Sequence, residues 1–166
     1  MIIALSILAA LIAILAASYI WSRIKPRTPQ TSIEIDASAE QVWSTLTDFT
    51  NHPQWNPFIT KISGEPITGT RLSVEISNNG KTNTFTPTVL AAEPGRELRW
   101  IGRFGMVGVV DGEHYFHIET LTPKRIRLIH GEKFTGVLVP FLGKQLDVAD
   151  NFAAMNRALK ARVEQQ

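Results

Sequence analysis

Three residues carry side chains suited to acid–base chemistry: His114, His130 and Glu132. Each lies in a segment that alternates with period two, as a half-buried strand does, and each shares its face with apolar neighbours. A histidine beside a carboxylate is a plausible acid–base pair, because the carboxylate favours the imidazolium form and fixes the tautomer. The same group can instead orient a ligand, or form a satisfied polar cluster in a cavity wall, since an unpaired buried polar group costs about 1 to 3 kcal/mol.

The pairing of the two strands decides whether these side chains meet. Matching the two apolar faces requires an odd number of residues in the connecting turn around Pro123. A turn of five residues places His114 opposite Glu132 and His130 opposite Phe116. The register therefore predicts a His–Glu pair on the inner face of a hairpin.

Several other kinds of site are excluded or disfavoured. The chain has no cysteine, which excludes disulfides, thiolate nucleophiles and cysteine-based zinc sites. Two histidines and a carboxylate resemble an iron-binding triad, but neighbouring positions on a sheet seldom converge, and His114 and His117 face opposite sides of a strand. We expect no metal and no cofactor, because no phosphate loop, nucleophile elbow or dinucleotide motif is present. His52, beside Pro53 at a helix entry, is interpreted as a cap or surface residue.

The charge distribution argues against nucleic acid as a partner. The formal net charge is +2, but all 15 acidic residues and only 14 of the 17 basic ones follow Thr31, a balance of −1. The basic side chains near Pro123 are better explained as a solvated hairpin edge than as a nucleic-acid footprint.

The N-terminus predicts a membrane anchor formed by residues 2–21. This uncharged run of Ala, Ile and Leu has about 20 residues, the length that crosses a hydrocarbon core of about 30 Å. Tyr19 and Trp21 fall at one boundary, where amphipathic aromatic residues prefer to lie. The basic residues Arg23, Lys25 and Arg27 all follow the run, so the positive-inside rule predicts a single-pass membrane protein whose C-terminal domain is cytoplasmic.

A cleaved signal peptide is the alternative for this segment, with small residues at Ala16, Ala17 and Ser18 near a cleavage point. It lacks a positively charged start, and its apolar run exceeds the usual 7 to 15 residues. We therefore expect residues 1–22 to form a transmembrane helix, residues 23–30 a basic, proline-containing linker, and residues 31–166 one domain.

The domain should begin with a short strand at Thr31–Ile35, a helix capped by Ser38 and Gln41, and a second short helix with Pro53 in its first turn. Antiparallel strands follow in immediate succession, with Asn79-Gly80 as the strongest hairpin signal. They predict one meander with a single apolar concave face, its strands at 58–63, 70–77, 83–92 and 97–103 followed by the two that carry the histidines. A last helix after Pro140 should run for six turns or more along that face.

The segment from Phe104 to Gly112 contains three glycines among apolar residues. Either it is a loop packed over the end of the sheet, or it is a mobile lip over a cavity mouth that admits an apolar ligand.

This order of elements resembles the START-like (SRPBCC) superfamily, which also holds the birch-pollen allergens and the polyketide cyclase/dehydrase-like bacterial proteins. The resemblance covers Thr31 to Arg162, and it is carried by the run from Ile35 to Trp43, Pro53-x-Trp55-Asn56-Pro57-Phe58, Pro94-Gly95 with Leu98 and Trp100, and His130-x-Glu132-x-Phe134-x-Gly136. It implies an α+β helix-grip fold: a curved antiparallel sheet, two short helices and a long C-terminal helix that together enclose an apolar cavity. It supplies no fixed catalytic set.

The sequence thus predicts membrane-anchored binding of a small hydrophobic ligand, such as a lipid, a quinone, or a sterol-like or polyketide-like molecule. The expected ligand contacts are Leu72, Val74, Phe85, Leu98, Trp100, Met106, His114, Phe116, His130, Glu132, Phe134, Leu142 and Phe152. One alternative is a polyketide cyclase/dehydratase-like enzyme that uses His114, His130 and Glu132 as acid–base groups. Another is an interaction domain with a filled core.

Overall fold

A computed structural model describes residues 2–78 and 80–165, which form an α+β helix-grip fold. Within these residues there are five α-helices and eight β-strands. The helices are α1 (Ile2–Ile24), α2 (Ala39–Thr47), α3 (His52–Trp55), α4 (Val139–Leu142) and α5 (Ala149–Val163). The strands are β1 (Gln30–Ile35), β2 (Ile59–Ser63), β3 (Ser73–Asn78), β4 (Lys81–Phe85), β5 (Thr88–Glu93), β6 (Glu97–Phe104), β7 (Val110–Thr122) and β8 (Arg125–Thr135).

Five strands form an antiparallel sheet in the order β1-β8-β7-β6-β5. The central β7–β8 hairpin has the predicted register, with His114 opposite Glu132 and Phe116 opposite His130. The face that carries these residues is buried, while His117 on the other face of β7 is 42% exposed at its side chain. The period-two pattern alone was therefore sufficient to orient the hairpin.

The prediction of one meander is wrong, because β2, β3 and β4 form a separate three-stranded sheet. The predicted strand at 83–92 is divided at Pro87, which cannot donate a ladder hydrogen bond. The two sheets stay in contact through a bridge between Arg71 and Thr88 and a 2.9 Å hydrogen bond from the Leu72 N–H to the Pro87 carbonyl. The predicted β3–β4 hairpin is present, with Asn78 paired to Lys81, although Asn79 itself lies outside the described residues.

The last helix is also shorter than predicted. After α4, Gly143 adopts a φ of +51°, and residues Gly143–Leu146 form a 3₁₀ turn. The following Asp147 is extended, so that helical geometry restarts only at Ala149. Helix α5 has 15 residues, or about four turns. It buries Phe152, Met155, Asn156, Leu159 and Val163 against the sheet and α2.

Helix α2 begins with the predicted capping box of Ser38 and Gln41. The interpretation of His52 as a surface residue is wrong, because the residue is only 1% exposed, but its side chain does cap a helix. Its Nε2–H donates a 2.8 Å hydrogen bond to the Leu46 carbonyl, one of the last carbonyls of α2, which lack helical partners. Its Nδ1 accepts from the Asn56 amide at 3.2 Å, and the Asn56 oxygen accepts from the N–H groups of Phe58 and Ile59. His52 thus joins α2 to the start of β2.

Helix α1 projects from the domain and is exposed from Ile2 to Ala17. Its last turns contact the domain: Ser18 Oγ donates a 2.6 Å hydrogen bond to the Val137 carbonyl, and Ser22 Oγ accepts one of 2.9 Å from the Gly136 N–H. The segment after α1 pairs with β8, since the Phe134 N–H donates to the Arg27 carbonyl at 2.8 Å. The helix and the domain are therefore joined by packing as well as by the chain.

Candidate functional site

A cavity of about 500 Å³ lies between the two sheets and the segment from α4 to the start of α5. Its size falls in the usual range for small-molecule sites, about 300 to 1,000 Å³. Seven of the predicted contact residues line it: Val74, Phe85, Trp100, His114, Glu132, Phe134 and Leu142. A core filled by its own side chains, which the interaction-domain alternative requires, is not what the structure shows.

Most of the remaining lining is apolar and was not predicted. It includes Phe58, Ile59, Ile76, Pro87, Val110 and Val148. Alternation along β3 could have identified Ile76, because Val74 already marks the inner face of that strand. Four polar residues complete the lining, and no sequence signal distinguished them from ordinary surface residues: Asn78, Asn83, Arg103 and Gln145.

Six predicted contacts do not line the cavity. Leu72, Leu98, Phe116, His130 and Phe152 are all buried in the core, each 2% exposed or less. The Phe152 ring stacks on His130 with 4.1 Å between centroids, so it fills the space in which a ligand would have to touch that histidine. Met106 is 77% exposed on the loop before β7 and does not line the cavity.

Glu132 and His114 form the polar part of the inner wall. His114 Nδ1 and Glu132 Oε2 are 3.5 Å apart, which is longer than a good hydrogen bond, and the Glu132 side chain is 18% exposed towards the cavity. The carboxyl lies over Gly112 on β7, where any Cβ would clash with Glu132 Oε1. Trp100 stacks on His114 with 4.7 Å between parallel rings, which fixes the imidazole plane. The Glu132 carboxyl is thus available to a ligand.

Asn156 of α5 fixes the tautomers of both histidines. Its amide oxygen accepts a 2.9 Å hydrogen bond from His130 Nδ1, so His130 Nε2 acts as the acceptor for the Nε2–H of His114 at 3.0 Å. His114 Nδ1, the atom that faces Glu132, is then unprotonated. Sequence reasoning missed Asn156, yet a signal existed, because it follows Phe152 by four residues and so lies on the apolar face of α5.

Burial sets the charge state of the cluster. Desolvation raises the pKa of Glu132 to about 8 and lowers the pKa of His114 to about 3. The pKa of His130 falls well below its ordinary value, first through desolvation and then through the neighbouring His114. At neutral pH the cluster therefore holds a largely protonated carboxyl and two neutral imidazoles. Desolvation therefore disfavours the carboxylate–imidazolium form of the His–Glu pair, which was one of the possibilities that the sequence left open.

The cluster does not converge on a metal position. His114 directs one ring nitrogen at Glu132 and the other at His130, whose remaining nitrogen bonds to Asn156. Among residues 2–78 and 80–165, no group of three or more His, Asp or Glu side chains is arranged to hold a metal ion. The cluster can instead donate a hydrogen bond from Glu132 or pass a proton between Glu132 and His114.

The sequence comparisons agree with this architecture. The family model for "Polyketide cyclase / dehydrase and lipid transport" matches residues 27–164. A comparison with curated protein sequences gives no significant match.

Solved structures share the fold at low sequence identity. A START superfamily protein from Mycobacterium smegmatis aligns with a TM-score of 0.66 and 23% identity, over 83% of this chain and 97% of its own. The Zhui aromatase/cyclase from Streptomyces sp. R1128 gives 0.67 and 18%, over 84% and 94%. Norcoclaurine synthase from Thalictrum flavum, in complex with dopamine and hydroxybenzaldehyde, gives 0.65 and 14%, over 85% and 88%. On the strength of the family match and the shared fold, the chain belongs to the polyketide cyclase/dehydrase and lipid transport family.

Proposed function

We propose that this protein binds a small hydrophobic ligand with one polar group in the cavity, while α1 holds the protein at a membrane. The observation that carries the proposal is the cavity of about 500 Å³, whose lining is mostly apolar and whose inner wall carries the neutral polar groups of His114 and Glu132. A lipid, a quinone, or a sterol-like or polyketide-like molecule has this combination of an apolar body and a carbonyl or hydroxyl group.

The protonation state of Glu132 narrows the ligand chemistry. A protonated carboxyl can donate a hydrogen bond to a carbonyl oxygen, which a carboxylate cannot do. An apolar molecule without an acceptor would leave this carboxyl unpaired at a cost of about 1 to 3 kcal/mol. The lining therefore favours a ligand with a carbonyl or hydroxyl oxygen over a plain hydrocarbon.

Membrane attachment is supported by the surface of α1. Its residues from Ile2 to Ala17 are exposed and apolar, and the helix as a whole is long enough to cross a bilayer. A cleaved signal peptide would also have such a segment, and the intact mass of the protein recovered from membranes distinguishes the two. The cytoplasmic orientation of the domain stays a prediction from Arg23, Lys25 and Arg27.

Filling the cavity should abolish ligand binding. Ile76 is only partly buried and lines the cavity, so Ile76→Trp places a larger side chain in the ligand volume. We expect native mass spectrometry of the full chain, released from lipid nanodiscs, to show a retained small molecule in the wild type and its loss in Ile76→Trp.

Ile67→Trp is the matched control, because Ile67 is 54% exposed and lies outside the cavity. It should keep the ligand, and thermal unfolding should show that both variants are folded. Retention of the same molecule by a folded Ile76→Trp protein would contradict the proposal, as would a wild-type protein that carries nothing and binds no apolar probe such as N-phenyl-1-naphthylamine.

A second candidate function is a cyclase/dehydratase-like enzyme, which the chain of contacts from Glu132 through His114 and His130 to Asn156 favours. In this case Glu132 would protonate a hydroxyl group of the substrate, which leaves as water, and His114 would remove a proton from the neighbouring carbon and return it to Glu132. Glu132→Gln should then accumulate a substrate that differs in mass from the molecule recovered with the wild type. A binding module would yield the same molecule from both proteins, with weaker retention in the variant.

A further inference from the structure

Five large apolar side chains are exposed beside the cavity mouth. Phe104, Met106 and Val107 are 68%, 77% and 73% exposed, and Leu138 and Phe141 are 40% and 69% exposed. We call these five residues the lip patch. Exposed apolar groups of this kind mark a surface that meets another apolar phase or a partner.

The two segments that carry the lip patch form one unit. The Val137 N–H donates to the Gly108 carbonyl at 2.9 Å, and the Leu138 N–H donates to the Val109 carbonyl at 3.1 Å. Neither segment, 104–109 or 137–142, contains a charged residue. Phe104 and Leu142, one from each segment, also line the cavity. The lip patch is thus continuous with the rim of the cavity.

Contacts with α1 fix the height of this unit along the helix axis. Tyr19 packs against Gly108, and Ser18 Oγ donates a 2.6 Å hydrogen bond to the Val137 carbonyl. The Gly136 N–H donates to Ser22 Oγ at 2.9 Å. Both segments therefore lie level with residues 18–22 of α1.

The position of residues 18–22 in a bilayer follows from helix geometry. The exposed apolar part of α1 before Ser18 rises about 24 Å, somewhat less than a hydrocarbon core of about 30 Å. Residues 18–22 must then lie where hydrocarbon gives way to headgroups. Arg23 and Lys25 follow, and the Lys25 ammonium lies 4.8 Å from the centre of the Trp21 ring, an arrangement suited to the headgroup layer.

We propose that the lip patch inserts into the same leaflet in which α1 ends, so that the cavity mouth opens onto lipid and the ligand enters from the bilayer. This inference rests on the proposed anchoring by α1 and adds a second, independent contact with the membrane. It commits to a lipid surface as the partner because the patch is uncharged and is held level with the end of the apolar helix.

Fluorescent labels at single cysteines test the inference, since the natural chain has no cysteine. The full chain is reconstituted in vesicles of phosphatidylcholine with a minority of phosphatidylglycerol, and Met106→Cys and Phe141→Cys are each labelled with a nitrobenzoxadiazole dye. Leu121→Cys is the matched control, because Leu121 is 40% exposed near the opposite end of β7. Leu8→Cys reports on α1 itself.

We expect the emission of the labels at Met106 and Phe141 to shift to the blue. Spin-labelled lipid should quench these labels several-fold more than the label at Leu121, and aqueous iodide should quench them less. Iodide quenching at Met106 and Phe141 as strong as at Leu121, with the Leu8 label still in lipid, would overturn the inference and leave the anchoring intact. A Leu8 label that iodide reaches would overturn both.

Discussion

A carboxyl group that holds its proton at neutral pH distinguishes the cavity wall at the residue scale. The pKa of Glu132 is raised from 4.5 to about 8 because the side chain is desolvated. The unfolded chain releases this proton at lower pH than the folded protein does. Glu132 therefore reduces the free energy of unfolding progressively as pH rises from about 4.5 to 8.

Glu132→Gln removes this loss of stability at high pH and keeps a group that can donate a hydrogen bond. We expect the variant to gain stability relative to the wild type as pH rises from 5 to 8, by roughly 2 to 4 kcal/mol at the upper end, since one pKa unit corresponds to about 1.4 kcal/mol. His114, whose lowered pKa reduces stability as pH falls from about 6.5 to 3, contributes equally to both proteins. Denaturant unfolding at several pH values measures the difference.

The control for this prediction is Glu65→Gln, which changes a carboxyl in an exposed loop away from the cavity. The difference in free energy of unfolding between Glu65→Gln and the wild type should stay constant across the same pH range. If the curves for Glu132→Gln and the wild type also run parallel, the proton on Glu132 is not held as the structure indicates.

The pairing of His114 with Glu132 could be predicted from sequence, whereas the charge state of the two side chains could not. Alternation along β7 and β8 fixed which side chains share a face, and the hairpin register then brought His114 to Glu132. Their pKa values depend on how completely protein atoms replace water, which is a property of the packed core. The contact of Asn156 with His130 could not be predicted either, because it depends on the distance between α5 and β8 in the packed protein.

At the scale of elements, one buried hydroxyl contributes to the junction of α1 with the end of β8. Ser22 is fully buried and its Oγ accepts the hydrogen bond of the Gly136 N–H. Gly136 has a φ of +134°, and any Cβ there would clash with the Val109 carbonyl, so this close packing requires glycine.

Ser22→Val should loosen this junction, because the Gly136 N–H would be buried without a partner at a cost of about 1 to 3 kcal/mol. We expect the distance distribution between spin labels at Leu15→Cys and Leu121→Cys to broaden in the variant. Ser6→Val is the control, since Ser6 is exposed on the same helix and its Oγ bonds only to the carbonyl of Ile2. An unchanged distribution in Ser22→Val would show that α1 is held by other contacts.

Element types were predictable where local chemistry decides them, as for the capping box at Ser38 and the Pro53 helix start. Two errors arose where a single residue overrides a longer apolar pattern. The sequence predicted one strand at 83–92, but Pro87 separates β4 from β5. It also predicted one long last helix, but Gly143 ends α4 before α5 begins. Leu142 and Leu146 before α5 still pack against the same core as Phe152 within it, so much of the apolar pattern continues across the second break.

At the scale of the whole molecule, the order of elements was sufficient to predict the helix-grip fold, because short turns allow the successive strands only antiparallel pairing. The contact between α1 and the domain could not be predicted in this way. Its side-chain hydrogen bonds come from Ser18 and Ser22 in a mostly apolar helix, and serines are also common in helices without a polar partner outside the helix, as Ser6 shows.

The interruption between α4 and α5 has an energetic consequence for the proposed entry and release of a ligand. Gly143 and the extended Asp147 separate the mouth-side turn from the four-turn helix that buries Phe152, Met155 and Leu159. A displacement of residues 143–147 can therefore leave the hydrogen bonds of α5 intact, and such a local fluctuation requires far less free energy than global unfolding. If the cavity takes up a ligand as proposed, substitutions of the exposed residues Lys144 and Gln145 should change the rate of its entry without weakening the helix that packs on the sheet.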